Sequence, residues 1–317
     1  MAGRMKATAG GIRARNSGKT TEAVAVSHSR PVIVVVDSDD HFGSVLSPVL
    51  RFEKKNGQWE TPSKRQQYLA DERARFVDDM AGMKSKLNAF VLYVNLGDVT
   101  EGVKHKSAQR ISEDVEDHVA LAQMFMRPVA EVADMIIAIR GTEAHAGIGS
   151  SLEEATWRPF ASKVWKFDND SGALTGYRAF VDVGGVRFDF EHHLSGAGRP
   201  WTKGGNIQRR AISAMFETSF AGERPAHYVF RGHTHIAHDT GDNEPQPRGV
   251  ICRTWKDKGD AYAHRIASEF SPALGAQYVI VNGPHDHIFR WWKVREPQKQ
   301  LWRVIDVPQW TKKKAYR

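Results

Sequence analysis

Short apolar runs alternate with longer amphipathic segments through most of the chain. After Pro31, residues 32–36 are continuously β-branched, which predicts a strand buried on both faces, as in the middle of a layered α/β domain. Similar apolar runs at residues 90–96 and 135–139 predict two more strands. Between these runs, residues 65–86 and 112–127 combine charged positions with apolar ones at helical spacing, so each predicts a helix.

The second half of the chain has the pattern of a more antiparallel sheet. Gly184-Gly185 separates two apolar runs and predicts the turn of a hairpin. Residues 207–220 predict a further helix. The strands predicted in this half cover residues 164–167, 177–183, 186–190, 278–281 and 301–307.

The two ends of the chain lack this periodicity. Residues 1–30 are rich in small and basic residues and predict a disordered basic arm. Within it, Ser17-Gly18-Lys19-Thr20 matches the end of a phosphate-binding loop, but Arg13 stands where that motif needs its first glycine, and no strand precedes it. We therefore do not assign a nucleotide-binding loop. Residues 291–317 are predicted to form a basic, Trp-rich extension that completes or flanks a domain over residues 31–290.

Charge and cysteine content narrow the class of protein. The 317 residues include 45 Lys and Arg against 37 Asp and Glu, a net charge of +8 that favours a polyanionic partner, with nucleic acid ahead of an acidic membrane surface. A basic surface for solubility alone is the alternative. The single cysteine, Cys252, excludes an internal disulfide, and the longest apolar run is too short to span a bilayer. Without a secretory signal pattern, we expect a soluble cytoplasmic protein.

Aromatic and basic residues are interleaved near the end of the predicted domain. Aromatic rings stack on bases and cations contact phosphates, so this pattern predicts nucleic-acid contacts. The alternative is a core strand followed by a solvated tail. The candidate residues are Arg290, Trp291, Trp292 and Lys293.

Aspartate and histidine follow four of the apolar runs. Carboxylates offer hard oxygen ligands and imidazoles offer borderline nitrogen ligands, so their recurrence at strand ends predicts a hydrolytic site with two metal ions. In Asp39-x-His41 both side chains lie on one side of an extended strand end, where they can chelate one ion. The four segments are Asp39-Asp40-His41, Gly97-Asp98, His192-His193 and Gly232-His233-Thr234-His235.

These motifs, in this order, resemble those of the calcineurin-like metallophosphoesterase superfamily. The resemblance covers residues 31–240 and implies an α/β fold, a four-layer α/β/β/α sandwich of two mixed β-sheets with helices outside. It also implies that Asp39, His41 and His235 bind one divalent ion, while Asp98 bridges it to a second. His233 and either His192 or His193 would complete the second site, with His192 preferred because it directly ends its strand. Mn²⁺ is the favoured metal, with Mg²⁺, Fe, Zn²⁺ and Ni²⁺ as alternatives.

The third motif departs from the family pattern. The family has Asn-His-Asp/Glu after the glycine, where the asparagine binds the second metal and the histidine acts on the substrate. Here Gly141 is followed by Thr142, Glu143, Ala144 and His145. We predict that His145 is the catalytic acid or the group that polarises the phosphate, since an imidazole titrates near neutral pH. Thr142 or Glu143 would supply the oxygen ligand, and Glu143 is the candidate metal contact.

The resemblance implies a metal-dependent phosphoesterase in which a hydroxide held between the ions attacks phosphorus in line. The basic ends of the chain and its net charge favour a phosphodiesterase or nuclease acting on DNA or RNA. One alternative is a phosphomonoesterase acting on a nucleotide or a phosphoprotein. The other, motivated by the altered third motif, is an inactive nucleic-acid-binding scaffold with the same fold.

Overall fold

Two six-stranded β-sheets form the centre of the protein. The computed structural model describes residues 21–26, 30–102, 109–194, 203–242, 245–257 and 273–295. In chain order, the strands are β1 Thr21–Val26, β2 Val32–Asp37, β3 Phe52–Glu53, β4 Trp59–Glu60, β5 Phe90–Asn95, β6 Met135–Ile139, β7 Thr175–Gly176, β8 Arg178–Val183, β9 Val186–Glu191, β10 Tyr228–Arg231, β11 His238–Asp239, β12 Arg248–Ile251, β13 Gly275–Gly283 and β14 Asp286–Lys293.

Both sheets are mixed, as the sequence predicts. Sheet one has the strand order β14-β13-β2-β5-β6-β7, and its strands β2, β5, β6 and β7 run parallel to one another. Sheet two has the order β1-β8-β9-β10-β12-β11, with β9, β10 and β12 parallel. The predicted hairpin at Gly184-Gly185 joins the antiparallel pair β8 and β9. Strands β3 and β4 form a separate small hairpin.

Side chains of the central strands pack on both faces of sheet one. In β2, Val32, Val34 and Val36 pack between the two sheets, whereas Ile33 and Val35 face the helices. All five are buried, which explains why this strand is apolar at every position rather than at alternate ones. The inter-sheet core is completed by apolar residues of β8, β9, β10 and β12.

Helices cover the outer faces of both sheets. Ser63 and Gln66 form a capping box at the start of the first helix, which ends at Asn88 in a left-handed conformation. This helix and the next cover sheet one, while the last covers β10 and β12 of sheet two. The predicted four-layer arrangement is confirmed. The helices are α1 Lys64–Leu87, α2 Val115–Val132, α3 Glu143–Ala146, α4 Ser151–Trp157 and α5 Lys203–Phe220, with 3₁₀ turns at Ile148–Ser150 and Arg158–Phe160.

Two local predictions differ from the structure. Part of the predicted disordered arm, Thr21–Val26, forms β1 in parallel register with β8. No strand forms over residues 164–167, where Val164 makes only an isolated bridge to Ile136. The predicted strand at residues 301–307 lies outside the described residues. None of the described helices has the length and apolar character that crossing a lipid bilayer requires.

Trp291 and Trp292 belong to β14 at the edge of sheet one. Trp292 is buried against Phe76 and Trp255, and its indole N–H donates to Asp79 at 2.9 Å. The prediction of a nucleic-acid contact is therefore wrong for Trp292, because its ring is part of the core. Trp291 is half-buried, whereas Arg290 and Lys293 are exposed.

Candidate metal centre

The predicted metal ligands lie in loops that follow the carboxyl ends of strands in both sheets. This end of the two sheets is here called the metal-binding edge. Strands β2, β5 and β6 of sheet one end there because they are parallel, and β9 and β10 of sheet two end there as well. Backbone hydrogen bonds join neighbouring loops: the amide of Asp39 donates to Gly97 at 3.0 Å, and the amide of Gly232 donates to His192 at 2.9 Å. Residues almost 200 positions apart therefore meet at this edge.

Asp39, His41 and His235 form the first cluster. One donor atom from each lies within 4.8 Å of the other two. The Nε2 atoms of His41 and His235 are 3.1 Å apart, and His235 Nε2 is 3.3 Å from Asp39 Oδ1. Two ligand atoms bound at about 2.0–2.2 Å to one ion lie ~3 Å apart, so this spacing fits a shared metal ion.

Asp98, His192 and His233 form the second cluster, with the same limit of 4.8 Å between donor atoms. His192 Nε2 lies 3.1 Å from Asp98 Oδ2. The Nδ1–H of His192 donates to the backbone carbonyl of Leu96 at 2.6 Å, which directs Nε2 into the cluster. This Nε2 is fully buried, and the polar atom that it faces is Asp98 Oδ2. A buried imidazole nitrogen of this kind, facing a carboxylate, fits a metal ligand.

The two clusters are directly adjacent. The amide of His233, in the second cluster, donates to Asp39 Oδ2, in the first, at 2.9 Å. Gly232 lies between them: a Cβ atom there would come within 2.2 Å of Ser38 Oγ and 2.9 Å of Asp39 Oδ2. The motif requires glycine at this position because the backbone approaches the carboxylate too closely for any side chain.

Strained backbone is concentrated in the same residues. The structure describes seven non-glycine residues with positive φ. Five of them are donors of the two clusters, with φ between 50° and 72°. Such conformations cost of order 1 kcal/mol or more each and persist where the surroundings impose them, which is typical of functional sites. The five are Asp39, His41, Asp98, His233 and His235.

His41 is oriented by Glu101 and Lys256. Its Nδ1–H donates to Glu101 Oε2 at 3.0 Å, and Lys256 Nζ donates to the same oxygen at 2.8 Å. Burial, together with nearby Lys256 and His145, lowers the pKa of His41 to about 3, so the ring is neutral and its Nε2 lone pair faces the first cluster. Neutral imidazole is the form that binds metal, and a carboxylate behind it is the usual orienting partner.

Asp98 is held by Thr142 and Glu153. The amide and hydroxyl of Thr142 donate to Asp98 Oδ1 at 2.7 and 3.0 Å. Glu153, fully buried in α4, accepts the amide of Asp98 at 2.8 Å and the amide of Gly141. Burial and the charge of Asp98 raise the pKa of Glu153 to about 7. These contacts leave Asp98 Oδ2 facing His192.

The structure brings seven of the nine predicted metal and catalytic residues together at one point. His145 lies beside the first cluster: its ring packs edge-on against His41 with centroids 4.4 Å apart. The ring of His193 is tilted against that of His233, with centroids 5.5 Å apart, but His193 lies outside both clusters, so the geometry favours His192 over His193. Glu143 is exposed at the start of α3, and among the described residues it belongs to neither cluster.

Sequence reasoning missed two residues that support the site and gave a third, Thr142, a different role. Thr142 is predicted as a possible ligand, whereas the structure shows it donating hydrogen bonds to Asp98. Glu153 lies in a helix that carries no recognisable motif, and Lys256 follows a segment without periodicity. Glu101, by contrast, occupies the last position of the Gly-Asp-x-x-Asp/Glu motif, and that position was the available signal for it.

Comparisons with known proteins return structural neighbours but no sequence relatives. No family model and no curated protein matches the chain. A conserved uncharacterized protein from Streptococcus pneumoniae, described as a predicted phosphoesterase, aligns at 12% identity over 84% of this chain and 100% of that one, with a TM-score of 0.33. A metallophosphoesterase from Sphaerobacter thermophilus aligns at 14% identity over 83% and 89%, with a TM-score of 0.34.

A hypothetical protein from Pyrococcus horikoshii is a third such neighbour, at 11% identity over 83% of this chain and 88% of that one, with a TM-score of 0.37. With TM-scores below 0.5, the interpretation of the site rests on its own residues. Those residues follow the strand ends of two packed mixed sheets in the predicted order and form two adjacent clusters. In motif order, architecture and donor geometry, this chain resembles the calcineurin-like metallophosphoesterases.

Proposed function

We propose that the protein hydrolyses phosphodiester bonds in nucleic acid with the help of two divalent metal ions. The observation that carries the proposal is the pair of adjacent clusters, each with three donor atoms within 4.8 Å of one another. An isolated histidine pair is common on protein surfaces, but two adjoining clusters built on strained backbone are not expected without a ligand.

Each cluster has the donor set for one ion. Asp39, His41 and His235 would hold the first ion, and Asp98, His192 and His233 the second. Mixed imidazole and carboxylate donors suit Mn²⁺, Fe, Ni²⁺ and Zn²⁺ better than Mg²⁺, and Mn²⁺ remains our favoured metal. Bound ions of this kind activate water and neutralise the charge that develops on phosphate oxygens. The bridging role of Asp98 is part of this proposal.

His145 is the group that we propose to act on the leaving oxygen. Its Nδ1–H donates to the backbone carbonyl of Glu101, so Nε2 is the ring atom available to transfer a proton. The edge-on contact with His41 keeps this ring beside the first cluster. A histidine held in one orientation next to two metal sites can protonate an alkoxide as it departs.

Net charge supports nucleic acid as the substrate. A chain with a net charge of +8 attracts a polyanion over long range, and that attraction weakens as salt concentration rises. The exposed Arg290 and Lys293 of β14 remain candidate phosphate contacts. Trp291 is half-buried, so only part of its ring could stack on a base.

The direct test is cleavage of labelled single- and double-stranded DNA and RNA by purified protein with and without Mn²⁺. Bis(4-nitrophenyl) phosphate and 4-nitrophenyl phosphate would serve as a small diester and a small monoester. We expect metal-dependent cleavage of nucleic acid that Asp98→Asn lowers at least ~100-fold. Asp78→Asn, which changes an exposed aspartate on α1, is the matched control and should be fully active.

Three other outcomes of this assay would change the proposal. Cleavage of the small diester alone would retain the diesterase and remove nucleic acid as its substrate. Faster cleavage of the monoester would favour a phosphomonoesterase. Absence of all cleavage, together with no bound metal by elemental analysis, would support the inactive scaffold.

A further inference from the structure

Tyr177 lies at the metal-binding edge, where it connects β7 of sheet one to β8 of sheet two. It directly follows β7, which pairs with β6, and β6 in turn pairs with β5. Strands β6 and β5 lead into the loops of Thr142 and Asp98. Tyr177 also directly precedes β8, in which Arg178 pairs with Glu191 of the antiparallel β9. Arg178 and Glu191 are the last paired residues at this end of β8 and β9, and the next residue of each segment is Tyr177 and His192, the latter a donor of the second cluster.

The tyrosine ring is exposed and supported from one side. Tyr177 keeps 57% of its surface accessible, although it lies between two strands. The guanidinium carbon of Arg140 lies 4.9 Å from the ring centroid. Arg140 immediately precedes Gly141 and Thr142, and the amide of Thr142 donates to Asp98. The pair of Tyr177 and Arg140 is therefore linked through the chain to the loop that holds Asp98.

The position of Arg140 is fixed by hydrogen bonds. Its Nε donates to the backbone carbonyl and the hydroxyl oxygen of Thr175, both at 3.2 Å. The Thr175 hydroxyl in turn donates to Glu154 of α4 at 2.6 Å. The guanidinium is therefore held against the tyrosine, and an aromatic surface fixed in this way loses little conformational entropy when a second planar group stacks on it.

We propose that Tyr177, supported by Arg140, is a stacking platform for the nucleobase attached to the scissile phosphate. An exposed aromatic face beside a metal-binding site fits a planar group linked to a phosphate, and stacking on aromatic residues is the common way in which proteins bind unpaired bases. This inference rests on the proposed function and makes it more specific: the substrate is a nucleoside phosphodiester with an unpaired base at the site of cleavage. The platform favours no particular base, because every base has a π-face.

Two substrates that differ only in the nucleoside test the platform. Thymidine 5′-(4-nitrophenyl phosphate) and methyl 4-nitrophenyl phosphate share a leaving group and a phosphodiester. For Tyr177→Ala we expect KM for the thymidine substrate to rise at least about tenfold, with KM for the methyl substrate within ~2-fold of wild type. Tyr177→Phe retains the ring and should behave as wild type on both.

A binding measurement separates this inference from the proposed reaction. The affinities of Mn²⁺-loaded protein for thymidine 5′-monophosphate and methyl phosphate are compared by calorimetry for wild type, Tyr177→Ala and Phe220→Ala. Phe220 is an exposed aromatic at the far end of α5 and is the matched control. We expect wild type and Phe220→Ala to prefer the nucleotide at least about tenfold and Tyr177→Ala to lose that preference.

The two proposals can fail separately. Preference for the nucleotide without cleavage of any diester would retain the platform and overturn the proposed reaction. Cleavage with equal affinities for the two phosphates in the wild type would overturn the platform alone. An equal loss of affinity for both phosphates in Tyr177→Ala would also overturn it, since that result indicates damage to the metal centre.

Discussion

Thr142 follows Gly141 in the third motif and orients Asp98 through two hydrogen bonds. Where the resembled family has a metal-binding asparagine, this chain has a threonine whose amide and hydroxyl both donate to Asp98 Oδ1. The other oxygen of Asp98 faces His192 Nε2 at 3.1 Å. Thr142 therefore contributes to the second cluster by orienting a ligand, which is a role that the residue type alone does not reveal.

We expect Thr142→Val to weaken Mn²⁺ binding about tenfold, because groups that hydrogen-bond a metal ligand typically contribute 10- to 100-fold to metal affinity. Valine has the shape of threonine but lacks the hydroxyl donor. Thr142→Ser keeps the donor and should bind within ~3-fold of wild type. Calorimetric titration of metal-free protein measures both, and equal affinities for the valine and serine variants would refute this role.

At the level of elements, a buried ionic network connects three strands of sheet two. Asp189 of β9 accepts two hydrogen bonds from Arg178 of β8, at 2.8 and 2.7 Å, and one from Arg231 of β10 at 2.9 Å. Asp189 and Arg231 are fully buried. Arg231 directly precedes Gly232-His233, so this network also fixes the position of the loop that follows β10 at the metal-binding edge.

We expect Asp189→Asn to lower the free energy of unfolding by ~3–5 kcal/mol at pH 7, because it leaves two arginines without their buried partner. Chemical denaturation measures this difference, and Asp78→Asn on the surface of α1 is the control. A loss below about 1 kcal/mol would show that water or other carboxylates replace the partner.

The same carboxylate predicts a pH dependence. Burial raises the pKa of Asp189, but Arg231 and Arg178 outweigh burial and lower the pKa to about 2, from 3.8 for the unperturbed group. Because the folded pKa is the lower one, the stabilisation is complete above pH ~4 and is lost as pH falls toward 2. The difference in unfolding free energy between wild type and Asp189→Asn should therefore shrink by about 2 kcal/mol over that interval. A constant difference would contradict the assigned cause.

At the scale of the whole molecule, the metal centre joins the two sheets. Each cluster combines ligands from both: Asp39 and His41 follow β2 of sheet one, whereas His235 follows β10 of sheet two. Asp98 likewise follows β5 of sheet one, and His192 follows β9 of sheet two. A bound ion would therefore cross-link the two halves of the sandwich, which links metal binding to global stability.

We expect Mn²⁺ at about 100 times its dissociation constant to stabilise the metal-free protein by ~2.7 kcal/mol per ion. For a domain of this size, that corresponds to an increase in melting temperature of about 5 °C or more. Thermal unfolding with chelator and with Mn²⁺ measures the shift. Asp39→Asn should remove much of it, and an unchanged shift in that variant would place the binding elsewhere.

Much of the fold could be predicted because its signals are local. The apolar run of β2 and the helical spacing of α1 each depend on residues close in sequence, and both elements formed within a residue or two of the predicted ends.

The structure also contains no strand over residues 164–167, where a short apolar run received no pairing beyond one bridge. Trp292 is a second case: its ring is buried by Phe76 of α1, more than 200 residues away in sequence, and by Trp255.

The sequence alone determined that this is a layered α/β protein with metal-binding side chains at the ends of its strands, because strand periodicity and ligand chemistry are properties of neighbouring residues. Only the tertiary structure decided that His192 enters the second cluster while His193 stays outside it, and that Thr142 orients Asp98. It also placed exposed Tyr177 and buried His192 next to the terminal pair Arg178–Glu191 of β8 and β9. These outcomes depend on strand order and register between distant segments, which no local pattern encodes.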